Sequence, residues 1–429
     1  MRTIVFVVAA ALACAQSRPI VIKAARMFDG VGDRVVSPGL VVVLGEKIRG
    51  VGAKAETPAG SEVIDLGDAT ILPGFMDAHT HLTMAYELDY RKQQADTLTK
   101  TVAEQALDAS VNARVTLMAG FTTVRDVGAS DFIDVGLRNA IASGSVPGPR
   151  MLVATNAIGA TGGHCDNFAG FKFGLFGRES GIQDGVANGP DQMRLAVRFN
   201  VKYGADVIKT CATGGVLSLT DDVDTPQLTQ AELDAMVDEA HALRRKTAAH
   251  AHGAAGAKRA IKAGIDSIEH GSFLDDEALD MMKSRGTYYV PTMMAVQGLR
   301  EGLEKGYFPP QIATKARLAM AALDQTVAKA IAKNIKIALG TDAAVYPHGR
   351  NAGEFGQMVR VGMKPIDALR AGTSVDAQLL GVFEKAGSLE AGKWADIVAV
   401  PGNPAEDIRA TEKVVFVMKD GVVFKNGKK

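Results

Sequence analysis

The sequence lacks an excess of charge of either sign, because 48 lysine and arginine residues balance 48 aspartate and glutamate residues. It therefore offers no electrostatic reason to bind nucleic acid or an anionic membrane. Aromatic residues are scarce at 6%, whereas hydrophobic residues in total reach 47%, so small and branched apolar side chains dominate. This usage excludes a disordered or collagen-like chain and suits buried parallel strands under helices.

Long hydrophobic runs are absent outside the N-terminus. A positively charged start precedes an apolar run from Ile4 to Ala13, and small residues follow as far as Ala15. This pattern predicts a signal peptide over residues 1–18, cleaved near Ala15, and hence an exported protein, periplasmic or secreted. A buried first strand is the alternative, and a lipoprotein signal is a weaker one. The run is short for a bilayer, so we expect no membrane span.

Cysteine is too rare for a disulfide framework. The chain has 3 cysteines in 429 residues, and only Cys165 and Cys211 follow the predicted signal peptide. Neither stands in a Cys-x-x-Cys pair. Two buried free thiols are the favoured interpretation, and a bridge between them in an oxidising compartment is the alternative.

The pattern of predicted secondary structure changes twice along the chain. Residues 19–74 and 386–429 consist of short β-rich runs separated by turn signals such as Asp420-Gly421, which predicts a small β-sandwich domain built from both chain ends. Residues 75–385 alternate strand-like and helix-like runs. Eight alternations predict an α/β fold in which a parallel sheet closes into a (β/α)8 TIM barrel. Barrel enzymes build their sites at the C-terminal ends of the strands.

Histidines gather at those predicted strand ends. His79 and His81 form a His-x-His pair in the first barrel strand, where residues two apart share one face and can reach one ion. His250 and His270 end the fifth and sixth strands, and Asp342 ends the eighth. Scattered core histidines would have no reason to choose strand ends. The cluster therefore predicts a metal site.

Motifs over nearly the whole chain resemble those of one superfamily. The chain is similar to the amidohydrolase superfamily in PGFMDAHTHL, DVIKTCATGG, HAHG, SIEHG, ALGTDA and AGSLEAGKWADIVAV. Within it, GGHCDN, HAHG and HGRNAGEF resemble the branch of Xaa-Pro dipeptidases and ochratoxin-hydrolysing amidases. That branch usually has Gly-Gly-His-Gly, whereas here Cys165 follows His164.

The resemblance implies a pair of zinc ions in each chain. It assigns the ligands as His79, His81 and Asp342 on one ion, His250 and His270 on the other, and Lys209 between the two. Lys209 would bridge as a carbamate formed with carbon dioxide, since a free ammonium cannot bind a cation; a lysine paired with an acidic group is the alternative. A metal-bridging hydroxide would attack the amide carbonyl, and Asp342 would pass the proton to the leaving nitrogen. Manganese or cobalt would suit the same ligands.

Four further residues are candidates for substrate contact. His252 shares a strand face with His250, and His164 lies in a glycine-rich loop after the third barrel strand, where a polar donor could stabilise an oxyanion. Both are therefore also candidate catalytic residues, beside Asp342. His348 and Asn351 lie in the loop after the eighth strand. Each has an alternative role. His252 would orient a metal ligand, His164 would be a surface histidine, and His348 and Asn351 would stabilise their loop.

The leading hypothesis is a zinc-dependent amide hydrolase. Its small substrate would carry a free carboxylate on the leaving group, as Xaa-Pro dipeptides, N-acyl amino acids and ochratoxin-type amides do. A mononuclear deaminase or cyclic-amide hydrolase of the same fold is the first alternative; Lys209, and Gly253 where deaminases carry a glutamate, disfavour the deaminase. A non-catalytic scaffold is the second, disfavoured because every ligand is present. Relatives in this branch form octamers, so the resemblance also implies a homo-oligomer.

Overall fold

The structure is a computed structural model that describes residues 18–427. The predicted signal cleavage site near Ala15 lies outside the described residues. Among the helices within that range, none combines the length and the apolar character needed to cross a membrane.

Short strands rich in β-branched residues form the first part of the described chain. These are Ile20–Ala24 (β1), Arg26–Met27 (β2), Gly39–Leu44 (β3), Lys47–Val51 (β4), Glu62–Asp65 (β5) and Ala69–Pro73 (β6). Four of them make one sheet in the order β4–β3–β1–β5. The tight turn between β3 and β4 requires Gly45, whose φ of 57° lies in the left-handed region that favours glycine.

Parallel strands follow and make the centre of the molecule. They are Phe75–Thr80 (β7), Phe121–Asp126 (β8), Arg150–Val153 (β9), Val207–Cys211 (β10), Lys246–Gly253 (β11), Ser267–Phe273 (β12) and Tyr288–Val290 (β13). One sheet has the order β7–β8–β9 and another the order β10–β11–β12–β13. Almost every residue in these strands is buried, as expected for parallel sheets covered by helices. The predicted α/β class is therefore confirmed.

The predicted eighth barrel strand is not formed as a strand. Single parallel bridges join the two sheets instead: Ile337 with Tyr289, Ala343 with Thr80, and Ile158 with Thr210. A physical reason is the backbone of Asp342, whose φ of 57° is incompatible with a continuous extended segment. The closed eight-stranded barrel predicted from the sequence is thus not observed, and the parallel strands form two sheets linked at single residues.

Helices connect the parallel strands and cover them. They are Tyr90–Thr99 (α1), Val102–Met118 (α2), Ile133–Ala142 (α3), Pro190–Lys202 (α4), Gln230–Ala242 (α5), Ala254–Ala263 (α6), Asp276–Arg285 (α7), Ala295–Glu304 (α8), Pro310–Ala332 (α9), Gly353–Arg360 (α10), Pro365–Arg370 (α11) and Asp376–Leu379 (α12). Thr101 and Thr229 begin α2 and α5 with capping boxes. These capping boxes define where α2 and α5 begin. Longer loops follow the C-terminal ends of the strands, where loops commonly carry functional residues.

The last strands return to the first part of the chain. They are Ile397–Pro401 (β14), Phe416–Lys419 (β15) and Val422–Asn426 (β16), in a sheet of order β16–β15–β14–β6–β2. A single apolar cluster joins this sheet to the sheet of β1 and β3, and it includes Ile22, Val41, Ile71, Ile397 and Phe416. Only Gly74 separates β6 from β7, and a Cβ there would lie 2.1 Å from the Thr122 hydroxyl. The small sheets therefore run directly into the strand that carries His79.

Candidate active site

Two histidines and an aspartate meet where β7 ends. His79 lies in β7 and His81 follows it, so their rings project to the same side of the strand. Their Nε2 atoms lie 3.6 Å (His79) and 3.5 Å (His81) from Oδ1 of Asp342. Nδ1 of His81 donates to the carbonyl of Gly128 at 3.1 Å, which leaves Nε2 as the ring nitrogen on the side of Asp342.

His250 and His270 come from β11 and β12 and lie beside this first group. The ring centroid of His270 lies 4.8 Å from that of His79 and 4.6 Å from that of His250. Nδ1 of His270 lies 2.8 Å from the hydroxyl of Thr292, and Nε2 of His250 donates to the carbonyl of Gly214 at 3.1 Å. Each ring thus uses one nitrogen in a bond to the protein and keeps the other for a ligand, as metal-binding histidines do.

One group of three residues is already close enough to hold a metal ion. Ligand atoms of His79, His270 and Asp342 all lie within 4.8 Å of one another. His270 and Asp342 also have φ values of 67° and 57°, a left-handed backbone that non-glycine residues rarely adopt. Such strain costs about 1–3 kcal/mol per residue and occurs mostly at functional sites. The strain here lies at two of the predicted ligands.

Lys209 is buried among these groups. It lies in β10, is 3% exposed, and lines the same cavity as the imidazoles. Burial lowers the pKa of Lys209 to about 8, although the charges of Glu269 and Asp342 act in the opposite direction. Among residues 18–427, no carboxylate oxygen lies within 4.0 Å of its Nζ. The alternative of a lysine in a salt bridge therefore finds no partner there.

Burial keeps the imidazoles of the site neutral. It lowers the pKa of every ring: to about 4 for His81, to about 3 for His252, and well below the usual value for His79, His250 and His270. A neutral imidazole keeps the lone pair that binds a metal cation. Burial also raises the pKa of Asp342 to about 6, although the charge of Lys209 acts in the opposite direction.

A buried charge network under His79 was not singled out from the sequence. Glu269 accepts a hydrogen bond from Nδ1 of His79 at 2.8 Å and another from Nη2 of Arg125 at 2.9 Å. Neighbouring residues of a strand normally point to opposite faces, so the strand pattern separates Glu269 from His270. The left-handed backbone of His270 brings both side chains to His79. The signal available in the sequence was an acidic residue directly before the predicted ligand His270, within the strand-like run SIEHG.

Cys165 and Cys211 form a disulfide bond, with their Cα atoms 5.9 Å apart. The favoured interpretation of two free thiols was therefore wrong. The sequence could not decide the question, because 46 positions separate the two cysteines and they meet only when the loop after β9 folds over the end of β10. The bond ties the residue next to His164 to the strand that carries Lys209.

His164 and His252 both line the cavity. The ring centroid of His164 lies 4.2 Å from that of His250, and its Nδ1 lies 2.9 Å from the hydroxyl of Ser218. Nδ1 of His252 lies 2.9 Å from the hydroxyl of Ser272. The structure thus brings both histidines beside the predicted ligands, in reach of a molecule in the cavity.

His348 and Asn351 are not brought to the cavity. Nε2 of His348 donates to the carbonyl of Met84 at 2.9 Å. Asn351 is fully buried, and its amide donates to Asp77 at 2.8 Å. Both side chains make hydrogen bonds that hold the loop after Asp342, which is the alternative role that the sequence left open, and neither lines the cavity.

The cavity above the histidines has a volume of about 710 Å³. Apolar side chains from α8, α9 and the loop after β9 form much of its wall, among them Phe168, Phe176, Val296, Leu299 and Met320. Sites for small molecules are mostly apolar cavities of this size with a few polar groups. The polar groups of its lining include the clustered imidazoles, Lys209 and Asp342.

Residues 70–428 match the model of the Amidohydrolase family. The chain belongs to this family. This amidohydrolase is 31% identical to Ochratoxinase of Aspergillus niger over 431 residues, which cover 96% of this chain and 87% of the relative. A solved Xaa-Pro dipeptidase with methionine bound in its active site is 42% identical, with a TM-score of 0.90 over 95% of this chain and 100% of that one. A solved prolidase in complex with N-methylphosphonate-L-proline is 29% identical, with a TM-score of 0.85 over the same shares.

These similarities confirm the superfamily and the branch expected from the motifs. They support a hydrolase that acts on amide bonds. The residues present also fit a metal site, because neutral imidazoles and a carboxylate are the donor set for zinc and related ions.

Proposed function

We propose that this amidohydrolase is a binuclear zinc enzyme that cleaves the amide bond of a small substrate whose leaving group carries a free carboxylate. The observation that carries the proposal is Lys209, a lysine buried without an ion pair among the described residues and surrounded by imidazoles. A buried ammonium in that setting is costly unless it is neutralised or converted to an anion.

Conversion of Lys209 to a carbamate accounts for its burial among metal-binding groups. The neutral amine adds to the carbon of carbon dioxide, a bond forms between Nζ and carbon, and Nζ loses one proton. The product carries one negative charge on two oxygens, which suits a bridge between two cations. His79, His81 and Asp342 would hold one zinc ion, and His250 and His270 the other.

Different residues of this chain have different roles in the proposed reaction. When bound, the zinc ions would supply Lewis acidity toward the carbonyl oxygen and would lower the pKa of a water molecule. Asp342 accepts the proton of the attacking water and returns it to the amide nitrogen, which cannot leave without it. His164 and His252, both at the cavity wall, contact and orient the substrate. Glu269 and Arg125 hold His79 in its tautomer.

Xaa-Pro dipeptides, N-acyl amino acids and ochratoxin-type amides are the substrates we propose. The support comes from the Xaa-Pro dipeptidase and the prolidase bound to a proline derivative, and from the similarity to Ochratoxinase. The apolar wall of Phe168, Phe176 and Leu299 suits an apolar acyl group.

We further propose that the two parallel sheets act as one (β/α)8 barrel, and that the chain is exported and forms a homo-oligomer, an octamer as in this branch. The single bridges at Ile337 and Ile158 support the barrel. The Cys165–Cys211 bond supports an oxidising compartment. Leu107 and Val111 of α2 are 69% and 60% exposed and offer an apolar stripe to another copy.

A metal analysis combined with a hydrolysis screen tests the function. The protein is stripped of metal, reloaded with zinc in bicarbonate buffer, and its zinc content per chain is measured. It is then offered a library of Xaa-Pro dipeptides and N-acyl amino acids, and the released amino acid is quantified. We expect two zinc ions per chain and turnover of members with an apolar acyl group.

Asp342→Asn is the matched variant for this screen. It should keep the fold and remove turnover, because the isosteric amide cannot accept the proton. Near-normal turnover in this variant would exclude the proton-transfer role. One zinc ion per chain would favour the mononuclear alternative, and a metal-free, inactive protein would favour the scaffold.

A further inference from the structure

A closed ring of hydrogen bonds connects Asp221 to His164. Oδ1 of Asp221 accepts a hydrogen bond from the hydroxyl of Ser218 at 2.7 Å. The hydroxyl oxygen of Ser218 in turn lies 2.9 Å from Nδ1 of His164. Oδ2 of Asp221 accepts from the amide nitrogen of Gln227 at 2.9 Å, and the amide oxygen of Gln227 accepts from the backbone N–H of His164 at 2.9 Å. One carboxylate therefore controls both the ring and the main chain of His164.

Lys315 of α9 anchors this carboxylate. Its Nζ donates to Oδ1 of Asp221 at 2.9 Å, to the carbonyl of Asp221 at 3.0 Å and to the carbonyl of Ser218 at 2.6 Å. The side chains of Lys315 and Asp221 are only 9% and 6% exposed. All the donors of the ammonium are used, as a buried ion pair requires. The anchor comes from a helix that otherwise forms the apolar wall of the cavity.

The ring of His164 is closely packed on the side of Gly215. A Cβ on Gly215 would lie 2.2 Å from its Cε1 atom, so the ring rests directly on a bare glycine. The ring of His250 also lies beside it, with the centroids 4.2 Å apart. A shift of Asp221 would therefore be passed to His164 and from there to a predicted metal ligand.

The hydrogen-bond directions fix which nitrogen of His164 is offered to the cavity. The Ser218 hydroxyl can give its proton to the Asp221 carboxylate or to the carbonyl of Gly215, and both oxygens only accept. The hydroxyl oxygen therefore accepts from Nδ1–H of His164. Nε2 then carries no proton and remains for a molecule in the cavity as a hydrogen-bond acceptor, not as the oxyanion donor expected from the sequence.

We propose that Asp221, anchored by Lys315, is a positioning residue that sets the place and the tautomer of His164 for substrate. The inference rests on the proposed function only in giving His164 a substrate contact. The position of the ring can be measured without any turnover.

The test compares Asp221→Asn with Asp396→Asn in the zinc-loaded protein. Asp396 is a matched control, because its carboxylate is also buried and paired, with Arg150 at 2.7 Å, but lies away from the cavity. For Asp221→Asn we expect kcat/KM to fall about 10²-fold, the scale of a misplaced group near the chemistry, with unchanged zinc content. Crystal structures should show the His164 ring displaced from its contact with His250 in this variant only.

A second pair of variants keeps the proposal testable if Asp221→Asn does not fold. Ser218→Ala removes one arm of the ring and leaves the ion pair intact, whereas Ser218→Thr keeps the hydroxyl. We expect displacement of the His164 ring and a lower kcat in the first, and recovery in the second. An unmoved ring with wild-type kcat and KM would overturn the proposal. If the wild-type protein hydrolyses no amide, the proposed function fails, while the ring position still decides the inference.

Discussion

The two ends of the parallel strands differ in how closely a lysine and an aspartate are paired. At the N-terminal end of β11, the carboxylate of Asp266 accepts from Nζ of Lys246 at 2.7 Å and from Nε2 of His241 at 2.9 Å. At the C-terminal end, Asp342 comes no closer than 3.5 Å to a histidine nitrogen, and Lys209 has no ion pair within the described chain. The lysine at one end of the strands is paired with a carboxylate, whereas Lys209 at the other end is not paired with one among residues 18–427.

The pKa values follow this division. Burial opposes the charged form of Asp266, but the hydrogen bonds from His241 and Lys246 outweigh it and hold the pKa of this carboxyl below its usual range. At Asp342, burial dominates and raises the pKa to about 6. The left-handed backbones of His270 and Asp342 add strain at the same end. Close ionic hydrogen bonds therefore stabilise the charged form of Asp266, whereas Asp342 has no such bond in the described part of the chain and lies among the groups proposed for the chemistry.

Replacing Lys209 tests this division most strongly. In Lys209→Ala we expect kcat/KM to fall by about 10³-fold or more, as when a principal stabilising group is lost from an active site, and zinc content to fall as well. Added acetate should restore part of the activity, because a free carboxylate can occupy the place of the carbamate. The measurements are steady-state kinetics and zinc per chain.

Lys246→Ala is the matched lysine variant at the opposite end of the strands. Its ion pair with Asp266 lies at the surface, with the Lys246 side chain 51% exposed. It should therefore leave kcat/KM and zinc content at their wild-type values. Wild-type zinc content in Lys209→Ala would contradict the bridging role.

Reduction of the Cys165–Cys211 bond tests how much this bond stabilises the C-terminal end of the strands. The bond closes a loop over 46 positions, and the chain-entropy relation gives up to about 4 kcal/mol for such a loop. We expect a phosphine reductant to lower the unfolding temperature and to reduce turnover, because the loop that carries His164 loses its link to β10. Thermal unfolding and kinetics before and after reduction measure both effects.

The control for reduction is the variant Cys165→Ala/Cys211→Ala. It should unfold at the temperature of the reduced protein and should not respond to the reductant. A response in this variant would show that the reductant acts elsewhere, for example on the metal. Free thiols in the untreated wild-type protein would contradict the bond itself.

Local patterns predicted the histidine cluster and the family resemblance added Lys209, whereas the contacts that were missed are long-range. The His-x-His spacing of His79 and His81 follows from the two-residue period of a strand, so sequence alone identified it. The approach of Lys315 to Asp221 spans 94 positions and depends on how α9 packs on the loop, for which the sequence carries no periodic signal. The eighth barrel strand failed for a local reason that apolar pattern cannot reveal, namely the left-handed backbone of Asp342.

Asp266→Asn has the smallest expected effect, and it acts on stability alone. Loss of a carboxylate that accepts charged hydrogen bonds costs about 1.5–3 kcal/mol. Because the folded pKa of Asp266 lies below the value of about 3.9 for an unfolded chain, its contribution is complete above that value and is lost as the pH falls through the folded pKa. Wild type should therefore melt at a higher temperature than the variant at neutral pH, with the gap closing in acid and kcat/KM unchanged. A constant gap would contradict the charge argument, and a loss of turnover would mean that the two ends of the strands are not independent.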